Sequence, residues 1–117
     1  MRPLGSDTIV IVRAPLITDP RDGSEYRDWN NATSTPISQC MVEPFMLAEK
    51  LNFEENRDRE YARTALRIYA PPGTDIDIND RVEFEDHTYD VFGHPGRWRR
   101  FNGVERYVSV IGRIREG

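Results

Sequence analysis

The chain has 117 residues and a mass of 13.6 kDa, which is the size of one domain with one hydrophobic core. Its formal net charge is -4, so there is no general attraction to nucleic acid, whose binding proteins are usually basic. The single cysteine, Cys40, excludes an intramolecular disulfide and a cysteine-rich metal site. No apolar run of about 18 residues predicts a membrane span, and no signal-peptide pattern opens the chain. We therefore expect a protein made in a reducing cytoplasm.

The first strong signal is a β-branched run at residues 8–13, which predicts a strand. Residues 1–7 before it are short and polar, and we interpret them as an N-terminal arm. The strand is apolar without interruption, which predicts burial on both faces, one against the core and one against a neighbouring subunit. Ile9 and Ile11 are therefore candidates for a subunit interface.

Turn and strand signals alternate through the next thirty or so residues. Asp-Pro and Asp-Gly at 19–23 predict a turn, and residues 25–29 a short strand. Residues 30–35 are polar and predict a loop, and residues 36–42 predict a strand that Pro44 ends. Cys40 lies in the apolar pattern of that strand, which favours a buried, unreactive thiol over a nucleophile.

Residues 45–62 differ in character, because charged residues are dense there and the apolar pattern is short. Leu47 and Leu51 form one i, i+4 pair, which is typical of a helix of two or three turns. The connection is longer than most in a compact domain, and long connections are often functional. We expect a long, partly helical insertion between two strands.

The second half of the chain carries clear period-two alternation. Leu66 and Ile68 share a face in a predicted strand at 65–70, and Val82 and Phe84 share one in the next. A two-residue turn is predicted at Asp86 and His87.

Tyr89 and Val91 then face one way along the following strand, and Phe92 interrupts the polar face. Gly93 indicates a bulge or a close backbone approach, and residues 94–96 predict the end of the strand. Asn102-Gly103 is the strongest hairpin signal and joins residues 98–101 to a last strand at 105–115.

These signals amount to about six or seven mostly antiparallel strands. The close spacing of the turns predicts an all-β fold, a small barrel or sandwich, with one long insertion. Residues 1–117 form a single β domain in this interpretation.

No residue set predicts catalysis or a metal site. His87 and His94 have no serine or cysteine partner at a catalytic spacing, and His87 lies in a turn that is simply polar. The acidic run from Asp75 to Asp80 lacks the glycine and glutamate of a calcium loop, so a solvated loop is favoured. We expect no enzyme activity and no cofactor.

One basic-aromatic cluster is present, Arg97-Trp98-Arg99-Arg100-Phe101. It is compatible with single-stranded nucleic acid, where aromatic rings stack on bases and arginines contact phosphates. The favoured interpretation is that Trp98 closes the end of the barrel and the arginines meet acidic residues of a neighbour. Trp98, Arg99 and Arg100 therefore join the candidate subunit interface.

Several short segments resemble the head-to-tail stopper (head-completion) proteins of long-tailed bacteriophages, with those infecting actinobacteria most similar. The resemblance is carried by Tyr69-Ala70-Pro71-Pro72-Gly73-Thr74-Asp75-Ile76, Asp80-Arg81-Val82, Thr88-Tyr89-Asp90-Val91 and Gly96-Arg97-Trp98, with Cys40-Met41-Val42-Glu43-Pro44 and the opening Met1-Arg2-Pro3-Leu4-Gly5. It covers most of the chain, least well at residues 45–62, and its motifs are structural.

The resemblance implies a component of the virion neck that assembles in the host cytoplasm as a ring of twelve subunits. Its implied partners are adaptor and tail-end proteins, with packaged double-stranded DNA passing through the lumen without sequence readout. The insertion either reaches into the channel or clamps a neighbouring subunit. The candidate channel residues are Glu49, Lys50, Asn52, Glu54, Glu55 and Arg57. Alternatives are a head-tail adaptor or minor capsid protein, and a small β-barrel that binds nucleic acid.

Overall fold

The computed structural model describes residues 4–44 and 65–115 of the chain. Eight strands occupy these residues: β1 Asp7–Arg13, β2 Leu16–Thr18, β3 Glu25–Arg27, β4 Thr33–Pro44, β5 Ala65–Ala70, β6 Arg81–Phe84, β7 His87–Arg99 and β8 Glu105–Ile114. A single 3₁₀ turn, Trp29–Asn31, precedes β4. Within these two ranges no helix is long and apolar enough to span a bilayer.

Six of the strands close into an antiparallel barrel in the order β1-β4-β5-β8-β7-β6, and β2 and β3 pair separately. The all-β prediction is confirmed, with the barrel as the form taken. Closure leaves each barrel strand with neighbours on both sides over part of its length, which limits exposed sheet edges. The predicted insertion at 45–62 lies outside the described residues, as do residues 1–3 of the predicted arm at 1–7, and Asp7 already belongs to β1.

Alternation of side chains places one set of residues inside the barrel. Ile9, Ile68, Val82 and Val108 are essentially inaccessible to solvent and form the centre of the core. They come from four different strands. In each strand the residues on either side point to the opposite face of the sheet. Tyr89 completes this layer from β7.

Close packing inside the barrel also explains one glycine. Gly112 lies opposite Val91 in the β7–β8 ladder, and a Cβ there would approach the Cβ of Tyr89 to 3.1 Å. Because glycine has no side chain, Tyr89 can pack closely against Gly112 in the core.

Strand β4 is longer than its sequence predicts. The polar loop predicted at 30–35 is wrong for Thr33, Ser34 and Thr35, which pair with Arg13, Val12 and Ile11. Their polar side chains are exposed, so the ladder rather than apolar burial holds them in the sheet. Pro36 is accommodated because β5 pairs only with the far end of β4, from Met41 to Pro44.

The turn between β6 and β7 lies one residue before its predicted place. Glu85 and Asp86 have φ of +48° and +67°, and Phe84 pairs directly with His87. Two central residues with positive φ match the twist of a tight hairpin, and His87 is thereby the first residue of β7.

Candidate functional site

The surface with the strongest functional character is built on the long β7–β8 hairpin. Strand β7 has 13 residues, of which the first four pair with β6 and the last four with the start of β8. Gly96 pairs with Ser109 and Trp98 with Tyr107, so the hairpin continues past the section where β6 ends.

A five-residue loop closes the hairpin at 100–104. The amide of Arg100 donates to the carbonyl of Val104, and the amide of Gly103 donates to the carbonyl of Arg100, both at 2.8 Å. Gly103 has φ of +87°, which favours glycine, and the Asn102 side chain accepts from the Val104 amide at 3.1 Å. The hairpin predicted from Asn102-Gly103 is confirmed.

The predicted end of β7 at residues 94–96 is wrong, because a bulge absorbs the proline. The ladder register shifts between Phe92 and Gly96, and Gly93 takes φ of +75°. A bulge inserts unpaired residues and re-aims the strand without ending it, so Pro95 needs no ladder donor. The predicted bulge at Gly93 is the part that the structure confirms.

Phe92 and Trp98, on either side of the bulge, lie on the outer surface of the barrel. There they line a groove of about 390 Å³ over β5, β8 and β7; its other lining residues are Arg67, Tyr69, His94, Gly96, Tyr107, Ser109 and Ile111. We call this surface the aromatic face.

The rings of the aromatic face form a contiguous series. Tyr69 and Tyr107 meet edge to face with centroids 5.5 Å apart, and Trp98 lies 6.1 Å from Tyr107. The guanidinium of Arg113 lies 5.4 Å from the ring of Phe92. These contacts fix the rings in place while leaving much of their area in solvent.

Trp98 is 55% exposed, so it does not close the end of the barrel as the sequence suggested. Phe92 and Met41 are also exposed beyond a third of their area. Clustered apolar exposure of this kind marks interaction surfaces in soluble proteins.

Basic residues accumulate on the hairpin beside this face. Arg97 pairs with Glu105 at 3.5 Å, and Glu105 also accepts the amide of Gly73 at 2.7 Å. Arg99 and Arg100 are exposed and make no ion pair with any described residue. Both are therefore open to a partner, and their assignment to a subunit interface stays a prediction.

Ile9 and Ile11, the other predicted interface residues, have side chains in the barrel core with exposed fractions of 1% and 4%. A side chain that points into the barrel cannot also lie on its outer surface, so Ile9 and Ile11 present no surface to a neighbouring subunit. Val10 and Val12 are the outward, half-buried positions of β1. The predicted channel residues, Glu49 to Arg57, lie outside the described residues.

A charge network that the sequence pattern did not indicate joins β1 to the loop before β6. Arg13 donates through Nε and Nη2 to Asp80 at 2.9 and 2.8 Å, and through Nη1 and Nη2 to Asp75 at 2.8 and 3.1 Å. Asp80 is buried and also accepts the amide of Asp77 at 2.8 Å. The prediction of a solvated acidic loop is thus wrong at Asp80.

The shared arginine shifts the acid-base behaviour of this network. Hydrogen bonds from Arg13 to Asp80 and then Asp75 raise the pKa of the guanidinium above its ordinary value. The same hydrogen bond and charge lower the pKa of Asp75. Both effects favour the ionised pair, which suits a structural tie more than a reactive group.

The remaining reactive groups are also accounted for by structure. Cys40 is fully buried, and burial followed by the charge of Asp7 raises the pKa of its thiol to about 11. A thiol of that pKa is protonated near neutral pH and is a poor nucleophile, as predicted. Among residues 4–44 and 65–115, no three His, Cys, Asp or Glu side chains converge on a common point.

Comparisons with known proteins return little at the level of sequence. No protein-family model matches the chain, and no curated protein is significantly similar to it. Among solved structures, the phage-like element PBSX protein xkdH of Bacillus subtilis aligns over 97% of this chain and 96% of its own length, with 16% identity and a TM-score of 0.45. A likeness at that level establishes no shared function.

Proposed function

We propose that the chain is a non-enzymatic structural component of a phage head-tail connector, a stopper that forms a ring between the adaptor and the tail. The proposal rests first on the sequence segments that resemble such proteins. In the structure these segments form the loop after β5, the start of β6, the first part of β7 and the base of the long hairpin. They are framework positions, in keeping with a protein that acts through shape.

The observation that best supports the proposal is the contrast between a fully buried barrel core and the exposed aromatic side chains on the outside of the barrel. The core centre is dry, whereas Trp98, Phe92 and Phe101 are all exposed beyond 40%. Water contact with so many rings is unfavourable, and burial against another protein would stabilise them by about 25 cal/mol per Å² of apolar area. A component that is stacked against neighbours in an assembly has this distribution.

Removal of the gene from a phage that encodes this chain tests the proposal. We expect DNA-filled heads without attached tails, which lose their DNA on storage, and rescue by the wild-type gene supplied in trans. Portal and capsid genes upstream and tail genes downstream are the expected neighbours. Complete infectious virions from the deletion strain would contradict the proposal.

A second candidate function, single-stranded nucleic acid binding, is favoured by one observation. The ring series of Tyr69, Tyr107 and Trp98 lies beside exposed arginines, and stacking rings with arginines is the common arrangement in such proteins. Salt-dependent binding of an oligonucleotide that Trp98→Ala weakens would support it. Absence of binding at low salt would remove it.

A further inference from the structure

The long hairpin is a basic element on an acidic protein. Residues 96–106 contain four arginines and one glutamate, a formal charge of +3. The rest of the chain has 12 basic and 19 acidic residues, a formal charge of -7. The hairpin of one copy is therefore attracted to the body of another copy, and the attraction is strongest at low salt.

One cluster of acidic residues lies at the turn between β6 and β7. Glu83, Glu85 and Asp86 are exposed, and in the described part of the chain no cation pairs with them. They border a groove of about 330 Å³ that Phe84 and Val10 also line, so the acidic turn carries apolar surface beside its charges.

The two elements lie at opposite ends of one strand. Strand β7 begins at His87, directly after the acidic turn, and ends at Arg99, directly before the hairpin loop. A strand of that length spans roughly 40 Å, far beyond the reach of an ion pair. The acidic turn and the basic hairpin therefore cannot satisfy each other within one protomer.

We propose that the aromatic face and basic hairpin of one copy receive the acidic β6–β7 turn of a second copy. Arg99 and Arg100 pair with Glu83 and Glu85 across the contact, and the ring of Trp98 packs against the apolar surface around Phe84. Because the two surfaces differ, the contact is head-to-tail, and its repetition generates a ring or an open filament according to the angle between copies. This inference rests on the proposed ring and names the contact that builds it.

Charge reversal at each end tests the contact. Two variants are made, Arg99→Glu/Arg100→Glu and Glu83→Lys/Glu85→Lys, both at exposed positions that form no ion pair within residues 4–44 and 65–115. Each alone carries like charges on both surfaces, so we expect self-association at least about tenfold weaker than wild type by sedimentation velocity at low salt. Mixed in equal amounts, each variant presents a surface complementary to the other, and association returns.

Matched controls separate this contact from a general charge effect. Glu25→Lys changes a glutamate that, like Glu83, is exposed and opposite a threonine in a short antiparallel pair. Arg21→Glu reverses an exposed arginine in the turn between β2 and β3. Both controls are expected to associate like wild type.

A cross-linking experiment keeps the inference testable where solution association is weak. Asp86→Cys and Arg100→Cys chains are mixed at high concentration with a short bis-maleimide, and Cys40 contributes little because it is buried. We expect the mixed product to form much faster than with Arg21→Cys in place of Arg100→Cys.

Two outcomes would overturn the contact. Mixed cross-linking no faster than the Arg21→Cys control removes it, while the proposed function is still judged by the deletion phenotype. Rings that withstand both charge reversals show that the subunits assemble through another surface. Oligonucleotide binding by the hairpin in a chain that forms no mixed cross-link would assign the surface to nucleic acid.

Discussion

The barrel interior and the aromatic face use the same kinds of residue for opposite purposes. Ile68 and Val108 have no accessible surface, whereas Trp98 is 55% exposed and Phe101 is fully exposed in its loop. Burial inside the barrel has already contributed its free energy to folding, while burial of the outer rings is still available to association. Stability and assembly should therefore be separable by mutation.

The largest expected effect comes from the interior. Ile68→Ala should lower the free energy of unfolding by about 3 kcal/mol, because it removes buried methyl groups and leaves a cavity in a closed barrel. Ile111→Ala, on the outer face of the neighbouring strand, is the control and should cost under about 1.5 kcal/mol. Urea denaturation measures both, and equal losses would mean that the two faces are not distinct.

The Arg13 network gives the next effect. Arg13→Ala leaves the buried Asp80 carboxylate without its cation, and we expect a loss of about 2 kcal/mol, less than for a fully buried pair because the arginine is 40% exposed. Asp75→Asn alters only the exposed member and should cost clearly less than Arg13→Ala. Thermal unfolding measures both losses of stability. A larger loss for Asp75→Asn than for Arg13→Ala would contradict a stabilising role of the Arg13–Asp80 pair.

Alkaline pH should reveal the buried thiol. The native state keeps the proton of Cys40 up to a pKa of about 11, whereas the unfolded thiol loses it near its ordinary value of 9.0. The unfolded state therefore binds fewer protons between these values, and the free energy of unfolding falls as pH rises through them, by up to about 3 kcal/mol. The fall should be smaller in Cys40→Ala, and identical slopes in the two proteins would contradict the assignment.

The smallest stability effect is expected at the aromatic face. Trp98→Ala should change the free energy of unfolding by under about 1 kcal/mol, since the ring is more than half exposed and its centroid lies 6.1 Å from that of Tyr107. Self-association should nevertheless weaken clearly in the same variant. A loss of stability comparable to that of Ile68→Ala would instead place Trp98 in the fold.

Alternation made much of the barrel predictable. Leu66 and Ile68, Tyr89 and Val91, and the inner residues of β8 face inward as their period-two spacing indicates. The spacing sets the face of a residue only relative to its neighbours, however. Nothing in it separates a strand face that packs in the core from one that packs against a partner, so it predicts an interface role for Ile9, whose side chain is buried in the core.

The features that sequence reasoning missed depend on distant partners. Arg13 and Asp80 are 67 positions apart, and their contact follows from the pairing of β1 with β6. The β7 bulge lets the strand continue past Pro95 to Trp98, and a turn-like Pro-Gly does not by itself distinguish a bulge from a strand end. Thr33 joins β4 through ladder pairing that its polarity does not signal.

Hydrogen–deuterium exchange of the dilute and the assembled protein tests the central claim most directly. Assembly should add protection to the β7–β8 hairpin beyond Gly96 and to the β6–β7 turn, while the core strands, already protected, change little. Assembled protein that shows no added protection at either place, or gains it along the open side of β4 at residues 33–37, would contradict the account.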